Sequence, residues 1–427
     1  MSSSPTTTRP GAVPLRPAMG ATPAPEWSGA RWIAGVDLAD VPATGRLALD
    51  DTEGFATARL LVRDGRAVVG VAEVPIEAGS VDAAAVHSAL AGFPTAAVVD
   101  DLDLPPVTVA ITTRDRPENV RSLVASLQAL DYPDFEIVIV DNASRTDATA
   151  REVERLEEPR LRLVREPRPG ASRGRNTAAL EAKHDLIAFI DDDVVVDPLW
   201  LRGVVQGFSR APDVGFVCGM TASGELLTPA QGYFEARIAW ETTITPQVFS
   251  LADPPADVPL FPFEVGLYGT GANFAVRREV YLGLGGANEA LGVGSPTGGG
   301  EDIDLFVRSL YAGYALVYEP TSIVWHRHRR ELGALDKQVA SYGRGFGAWI
   351  CTVLLDRRMR ASALRLLGRA ARRTKAVGAT NAESVIIDLP LDTTALRRRE
   401  VVGMLGGPWW YVRSRLDRRL PRPLAPR

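Results

Sequence analysis

Three adjacent carboxylates, Asp191, Asp192 and Asp193, close the apolar run Leu186-Ile187-Ala188-Phe189-Ile190. Like charges so close repel one another unless a cation sits among them, and a hard divalent ion held by oxygen ligands is the usual answer. A solvated acidic turn has the same local sequence, so the remainder of the chain has to decide between them. A second acidic group, Glu301-Asp302-Ile303-Asp304, follows Gly298-Gly299-Gly300. A flexible loop would deliver these acids onto the first turn of a helix, where the macrodipole favours negative charge. That accounts for the acids, but not for the triple glycine or for Trp325-His326 further on. The stretch Arg168-Pro169-Gly170-Ala171-Ser172-Arg173-Gly174-Arg175-Asn176 combines glycines that let backbone approach a ligand with Arg173 or Arg175 to fork onto phosphate oxygens. Asp141, after Val138-Ile139-Val140, is placed to accept from a base or ribose edge, or else to make an Asx turn.

The elements that must carry these groups alternate. Val107–Ile111 reads as a buried strand, and Pro117 sits at a first helical position. Val120, Leu123, Val124, Leu127 and Leu130 then recur at helical spacing. Phe135–Val140 is a second strand, with Thr146 or Asp147 capping the next helix. Leu161–Val164 is a third strand, Ala171–Ala182 a helix, and the run ending in the three aspartates a fourth strand. Strand alternating with helix implies parallel pairing through right-handed crossovers, hence a doubly wound α/β domain. Ligands of such sheets bind outside the carboxyl ends of the strands, where these polar residues fall.

A chain of 427 residues, 46% hydrophobic and 23% charged, has ample material for a core and room for more than one domain. Its formal charge of −4 argues against nucleic acid as a partner. Two cysteines, Cys218 and Cys351, are too few for a disulfide framework or a thiolate metal site and suit a reducing cytosol. No run approaches the ~18 apolar residues a membrane span requires, and no secretory signal is present. Residues 1–26, rich in Ser, Thr, Pro and Ala, read as a disordered tail. Residues 27–104 read as a small β-rich module, with Arg63-Asp64-Gly65-Arg66 turning a hairpin through Asp-Gly and Ser80 capping a short helix.

Taken in order, Val107 to Arg116, Val138 to Asp141, Gly170 to Asn176, Ile190 to Asp193, Gly271 to Phe274, Gly300 to Asp304 and Trp325-His326 resemble the family 2 glycosyltransferases of the GT-A fold. The resemblance covers 105–330 and implies an inverting transferase using a nucleoside-diphosphate-sugar donor and Mg²⁺ or Mn²⁺. It implies Asp141 as the nucleobase reader, Asp191 and Asp192 at the donor, and Asp193 on the metal, with His326 near the metal or leaving phosphate. Thr113 and Arg116 would touch the nucleotide, although Thr112 stands where the family commonly carries proline. Arg173 would lie by the diphosphate, Asp302 would be the base, and Asn273 and Glu301 would face the acceptor.

Residues 331–427 read as a helical basic extension, with seventeen Arg and Lys against six Asp and Glu from Cys351 onward. Arg344 lies where relatives contact the leaving phosphate. The arginine cluster and Trp409-Trp410-Tyr411 would suit a lipid-linked acceptor at the inner face of the plasma membrane, while a solvated face or oligomer contact is the simpler reading of a charge run. A glycan is the other acceptor class. A nucleotidyltransferase would want glycine directly after the first strand, and Thr112–Arg116 has none. The Gly-rich dinucleotide and P-loop signatures are absent, as is the Gln-x-x-Arg-Trp of processive synthases. A nucleotide-sugar-binding protein without turnover would not need Asp191, Asp193 and Asp302 together.

Overall fold

The computed structural model describes residues 13–20, 23–25, 27–94, 98–99, 102–238, 243–373 and 391–417. The N-terminal part contains β1 (Trp32–Asp37), β2 (Arg46–Ala48), β3 (Thr57–Asp64), β4 (Ala67–Pro75), β5 (Ser80–Asp82) and α1 (Ala83–Ala89). β1, β3 and β4 make a three-stranded sheet, and β2 pairs with β5. The hairpin is where the sequence puts it, but Asp64 still pairs with Ala67, so the turn is Gly65-Arg66 with φ 56° at Gly65 alone. The cap of α1 also differs. Ser80 is a strand residue, and the Asp82 carboxylate accepts from Ala84 N–H.

Residues 13–19 correct the expected tail. Leu15 bridges Leu49, Ala18 N–H bonds the Ile33 carbonyl, and Met19 packs with Ile33 and Trp325. Few apolar residues suffice here because neighbouring strands satisfy the backbone. The remainder of that expected tail, 1–12, 21–22 and 26, lies outside the described residues.

The main domain runs β6 (Val107–Thr113), α2 (Pro117–Gln128), β7 (Phe135–Asn142), α3 (Ala148–Arg155), β8 (Leu161–Glu166), α4 (Ala171–Glu181) and β9 (Leu186–Asp191). It continues with β10 (Val194–Val196), α5 (Trp200–Phe208), β11 (Val214–Ser223), α6 (Pro229–Ile238), β12 (Gln247–Phe249) and β13 (Asn273–Arg277). α7 (Arg278–Gly283), α8 (Glu301–Tyr311) and β14 (Ala315–His326) complete it. One nine-stranded sheet has the order β10-β14-β11-β13-β9-β6-β7-β8, with β12 on β14. The β9-β6-β7-β8 part is parallel, as alternation with helices requires. β13 is antiparallel to both its neighbours. Its chain re-enters at the carboxyl edge of β9 through the loop 250–272, with no crossover, so the sheet is mixed rather than wholly parallel.

Strand periodicity divides the core. Val107, Val109 and Ile111 point to the layer of α2 and α5, with Leu123, Leu127 and Trp200. Ala110, Val138 and Val140 point to the layer of α4, α7 and α8, with Phe189, Phe274 and Phe306. Each such buried Val, Ile, Leu or Phe side chain contributes about 1.5–3 kcal/mol. Among the described residues three C-terminal helices follow: α9 (Leu332–Leu355), α10 (Arg357–Arg373) and α11 (Thr393–Leu416). The basic stretch after 417 lies outside the described residues.

Candidate active site

Sheet register assembles the site. Thr112 pairs with Asp191 and Thr113 with Asp141, which sets three strand ends side by side. β10 begins directly after Asp193, and its Val194 pairs with His326 at the end of β14. Asn273 pairs with Ile190, which brings Gly271 and Ala272 alongside Asp191. Residues far apart in sequence therefore meet at one carboxyl edge.

Each aspartate has a different environment. Thr113 Oγ1–H donates to Asp192 Oδ2 at 2.6 Å, and Arg116 Nη1 lies 2.7 Å from Asp192 Oδ1 and 3.4 Å from Asp193 Oδ2. Burial pushes the Asp192 carboxyl up. His326 Nε2 stands 3.2 Å from Asp193 Oδ1, with Arg329 at 3.8 Å from the other oxygen. Against the effect of burial, His326 and the arginines hold Asp193 well below the usual carboxylate range, and Asp193 in turn holds His326 above its ordinary value. Asp191 is pushed up to about 6, by desolvation and by its two acidic neighbours. Its side chain nonetheless remains 42% exposed. Oxygens of Asp191 and Asp193 and a ring nitrogen of His326 all lie within 4.8 Å of one another, a set that could hold a metal ion.

Arg175 joins the two acidic segments. Its Nη2 is 3.2 Å from Asp191 Oδ1 and donates to the Gly271 carbonyl at 2.9 Å, while Nη1 reaches Glu301 Oε1 at 2.8 Å. Burial and the neighbouring Asp302 push the Glu301 carboxyl up. Asp302 Oδ2 accepts from Gly271 N–H at 2.9 Å, so its carboxylate sits against the same backbone that Arg175 holds. The loop before α8 proves close-packed rather than flexible. Gly298 and Gly300 adopt φ of 75° and 90°, and a Cβ on Gly300 would lie 2.6 Å from the Gly345 carbonyl of α9. Asp304 turns away to Arg308 and Thr352.

Several expected positions fall elsewhere. Arg173 pairs with Glu289 at 3.1 Å and donates to the Pro169 carbonyl, so Arg175, not Arg173, reaches the acid cluster. The two share a helix, and residues two apart on a helix face different ways. Asn273 is a sheet staple, 1% exposed, rather than an acceptor-facing group. It donates to the Met220 and Ser322 carbonyls and accepts from Trp200 Nε1–H. Arg344 lies over the Trp410 ring at 5.8 Å, between α9 and α11. Asp141 does lie at the expected strand end, 4% exposed, where one carboxylate oxygen accepts from Ser144 N–H at 3.2 Å in an Asx turn. Sequence reading missed Arg329 and His328. His328 Nδ1 stands 3.1 Å from His326 Nδ1, and burial, then His326, lowers its basicity well below normal. The His-x-His spacing was the available signal, since residues two apart in extended chain share a face.

The fold is an α/β domain with an acidic cluster at the carboxyl ends of its strands, the edge at which open α/β sheets place their ligands, and three of the residues there could hold a metal ion. Residues 108–281 match the model of Glycosyl transferase family 2. Over 247 residues the chain is 28% identical to the pre-mycofactocin glycosyltransferase of Mycobacterium tuberculosis (strain H37Rv), covering 56% of this chain and 46% of that one. It is 30% identical over 253 residues to the O-antigen biosynthesis protein RfbC of Myxococcus xanthus, covering 57% of this chain and 19% of that protein. The chain thus spans under half the length of these curated relatives. A mannosyltransferase from Pyrobaculum calidifontis, solved with GDP-mannose and Mn²⁺, superposes with a TM-score of 0.48 at 18% identity, over 74% of this chain and 90% of that one.

Proposed function

We propose that the protein transfers a sugar from a nucleoside-diphosphate-sugar donor to an acceptor hydroxyl, a glycan or lipid-linked one, with inversion at the anomeric carbon. The observation that carries this reading is Arg175, whose guanidinium spans Asp191 on one strand end and Glu301 beside Asp302 on α8. One sugar can then lie between the two acids.

Asp191, Asp193 and His326 would hold a divalent cation, and the set fits. The carboxyls repel each other, and the high Asp191 pKa marks a charge left short of compensation. One imidazole among carboxylates suits Mn²⁺ better than Mg²⁺, which prefers an all-oxygen shell. Bound there, the cation would supply Lewis-acid stabilisation of the departing diphosphate. The exposed guanidiniums of Arg116 and Arg329 lie beside the same aspartates and would add fixed positive charge. Asp141 would read the base with the oxygen that Ser144 leaves open.

Asp302 would be the base. Gly271 N–H and Ile303 N–H each occupy one carboxylate oxygen at 2.9 Å and fix the plane, leaving a further lone pair on each. The acceptor oxygen attacks the anomeric carbon as its proton passes to Asp302. The bond from that carbon to the diphosphate oxygen breaks on the opposite face, and its electron pair departs with the nucleoside diphosphate. A positioned base contributes typically ~10²–10⁴-fold. Asp302→Asn is expected to lose transfer by that factor while calorimetric affinity for nucleoside diphosphate with Mn²⁺ stays within about twofold, since a remote neutral isostere touches no phosphate. Near-normal turnover would remove Asp302 from the role. A panel of nucleoside diphosphates with Mn²⁺ in thermal-shift assays identifies the donor class.

A further inference from the structure

The helix α11 has two faces, and only one is accounted for. Leu396, Gly403, Gly407 and Ser414 are buried, the two glycines lying directly against the backbone of α9. The opposite face presents Val401, Val402, Leu405, Trp409, Val412 and Leu416, all between 49% and 74% exposed. At 3.6 residues per turn these form a single stripe four turns long. A helix of an aqueous protein ordinarily turns charge, not Leu and Trp, outward. Arginine flanks the stripe on both sides: Arg413 falls on one edge, Arg397 and Arg415 on the other, all exposed. The acids of this helix are spent or terminal, since Glu400 pairs with Arg237 and Asp417 lies at its end.

We propose that α11 seats the protein on an anionic lipid surface, its stripe in the headgroup–acyl boundary and its flanking arginines on lipid phosphates. Apolar stripe, a Trp at its middle and cationic margins are the composition of a helix lying in a membrane interface. Among the described residues no helix is long and apolar enough to cross a membrane, so the helix lies on the surface rather than through it. A second copy of the chain is the competing occupant, and charge disfavours it. Pairing two stripes antiparallel sets Arg397 against Arg413 and Arg415, and parallel pairing sets each arginine against its own copy; both are repulsive. The stripe also adjoins the active-site loop. Trp409 and Val412 line a cleft of about 500 Å³ with Pro296, a few residues before Glu301 and Asp302. A docked surface would therefore lie next to the acceptor side. The inference does not rest on the transfer chemistry and stands or falls separately from it.

The test floats the full-length protein with phosphatidylcholine vesicles, with and without phosphatidylglycerol. Flotation is expected with the anionic vesicles at low salt, weakening as salt screens the arginines. Leu405→Ser combined with Trp409→Ser should lower the bound fraction at least tenfold. Each of Arg397→Gln, Arg413→Gln and Arg415→Gln should weaken binding about fivefold. The melting temperature and far-ultraviolet circular dichroism should be unchanged in every variant, which shows that the fold persists. Absence of flotation with anionic vesicles at low salt overturns the proposal. So does binding that survives loss of the stripe. A concentration-dependent dimer that the Leu405 and Trp409 substitutions dissolve, without flotation of the parent, also overturns it and assigns the stripe to a second copy.

Discussion

Asp191 is the residue at which stability and function oppose each other. Its carboxyl titrates near 6 in the folded protein instead of at its ordinary 3.8, because desolvation and two neighbouring acids outweigh Arg175. A raised folded value means the native state holds the proton more tightly than the unfolded chain. That contribution is complete below the ordinary carboxylate range and is lost as pH rises through about 6. Asp191→Asn removes the titration. Without metal, the variant should match the parent in acid and exceed it near neutral pH, by about 1 kcal/mol once solvent screening of this part-exposed group is allowed for. Added Mn²⁺ should reverse the order, raising the melting temperature of the parent and not that of the variant. Differential scanning calorimetry at the two pH values, with and without Mn²⁺, checks both halves. Most of this cluster was legible in the sequence, because adjacent acids after an apolar strand announce themselves. Arg175 was harder. It and Arg173 share one glycine-containing loop-to-helix segment, and only the helix phase decides which of them faces the sheet edge. His328 was harder still, for its role depends on the turn of the chain after β14.

At the scale of elements, glycine carries meaning that sequence alone leaves open. Gly343, Gly345 and Gly347 flank Arg344 in a stretch expected to be helical, and they lie in the unbroken helix α9. A Cβ on Gly343 would meet the Glu400 carbonyl at 2.1 Å, and one on Gly347 the Met404 carbonyl at 2.1 Å. Gly403 and Gly407 answer from α11, so the two helices touch backbone to backbone. A helical glycine sacrifices up to ~1 kcal/mol of propensity, which close packing must more than offset. No local reading of α9 could find the reason, since the partner stands some sixty residues downstream. The strands and helices of the parallel half were readable because their own periodicity encodes them. Gly347→Val should force the pair apart and cost about 1–3 kcal/mol by overpacking. The loss should show as faster amide hydrogen exchange along α11 while β6 to β9 remain protected. Unchanged exchange in α11 would mean that the close approach contributes little.

The whole molecule is less divisible than its sequence suggests. The N-terminal sheet presents apolar residues on both faces. Trp32, Ala34, Leu60 and Val62 fill a core beneath the sheet, while Ile33, Leu61 and Val68 pack on Met220, Ala222, Ile323 and Trp325 of the large sheet. The run Leu60-Leu61-Val62 hinted at this, because a strand covered on both faces loses its alternation. What covers the second face could not be read, since neither surface is marked as an interface. Arg63 adds an ion pair to the buried Asp197 at 2.8 Å, and Arg59 one to Glu235 at 2.9 Å. Trp325 is the link to chemistry: a Cβ on Gly35 of β1 would approach its ring to 2.9 Å, and the next residue is His326. The N-terminal sheet thus buttresses the strand end that carries a candidate metal ligand. Ile33→Ala, which touches none of the site residues, should cost about 2–5 kcal/mol and weaken Mn²⁺ binding as the end of β14 loosens. Leu60→Ala, on the opposite face of the same sheet, should cost a similar amount while leaving Mn²⁺ affinity closer to the parent's. Calorimetric titration of the two variants, at a temperature where both are folded, separates support of the site from stability in general. Equal Mn²⁺ affinities would reduce the N-terminal sheet to a passive cover.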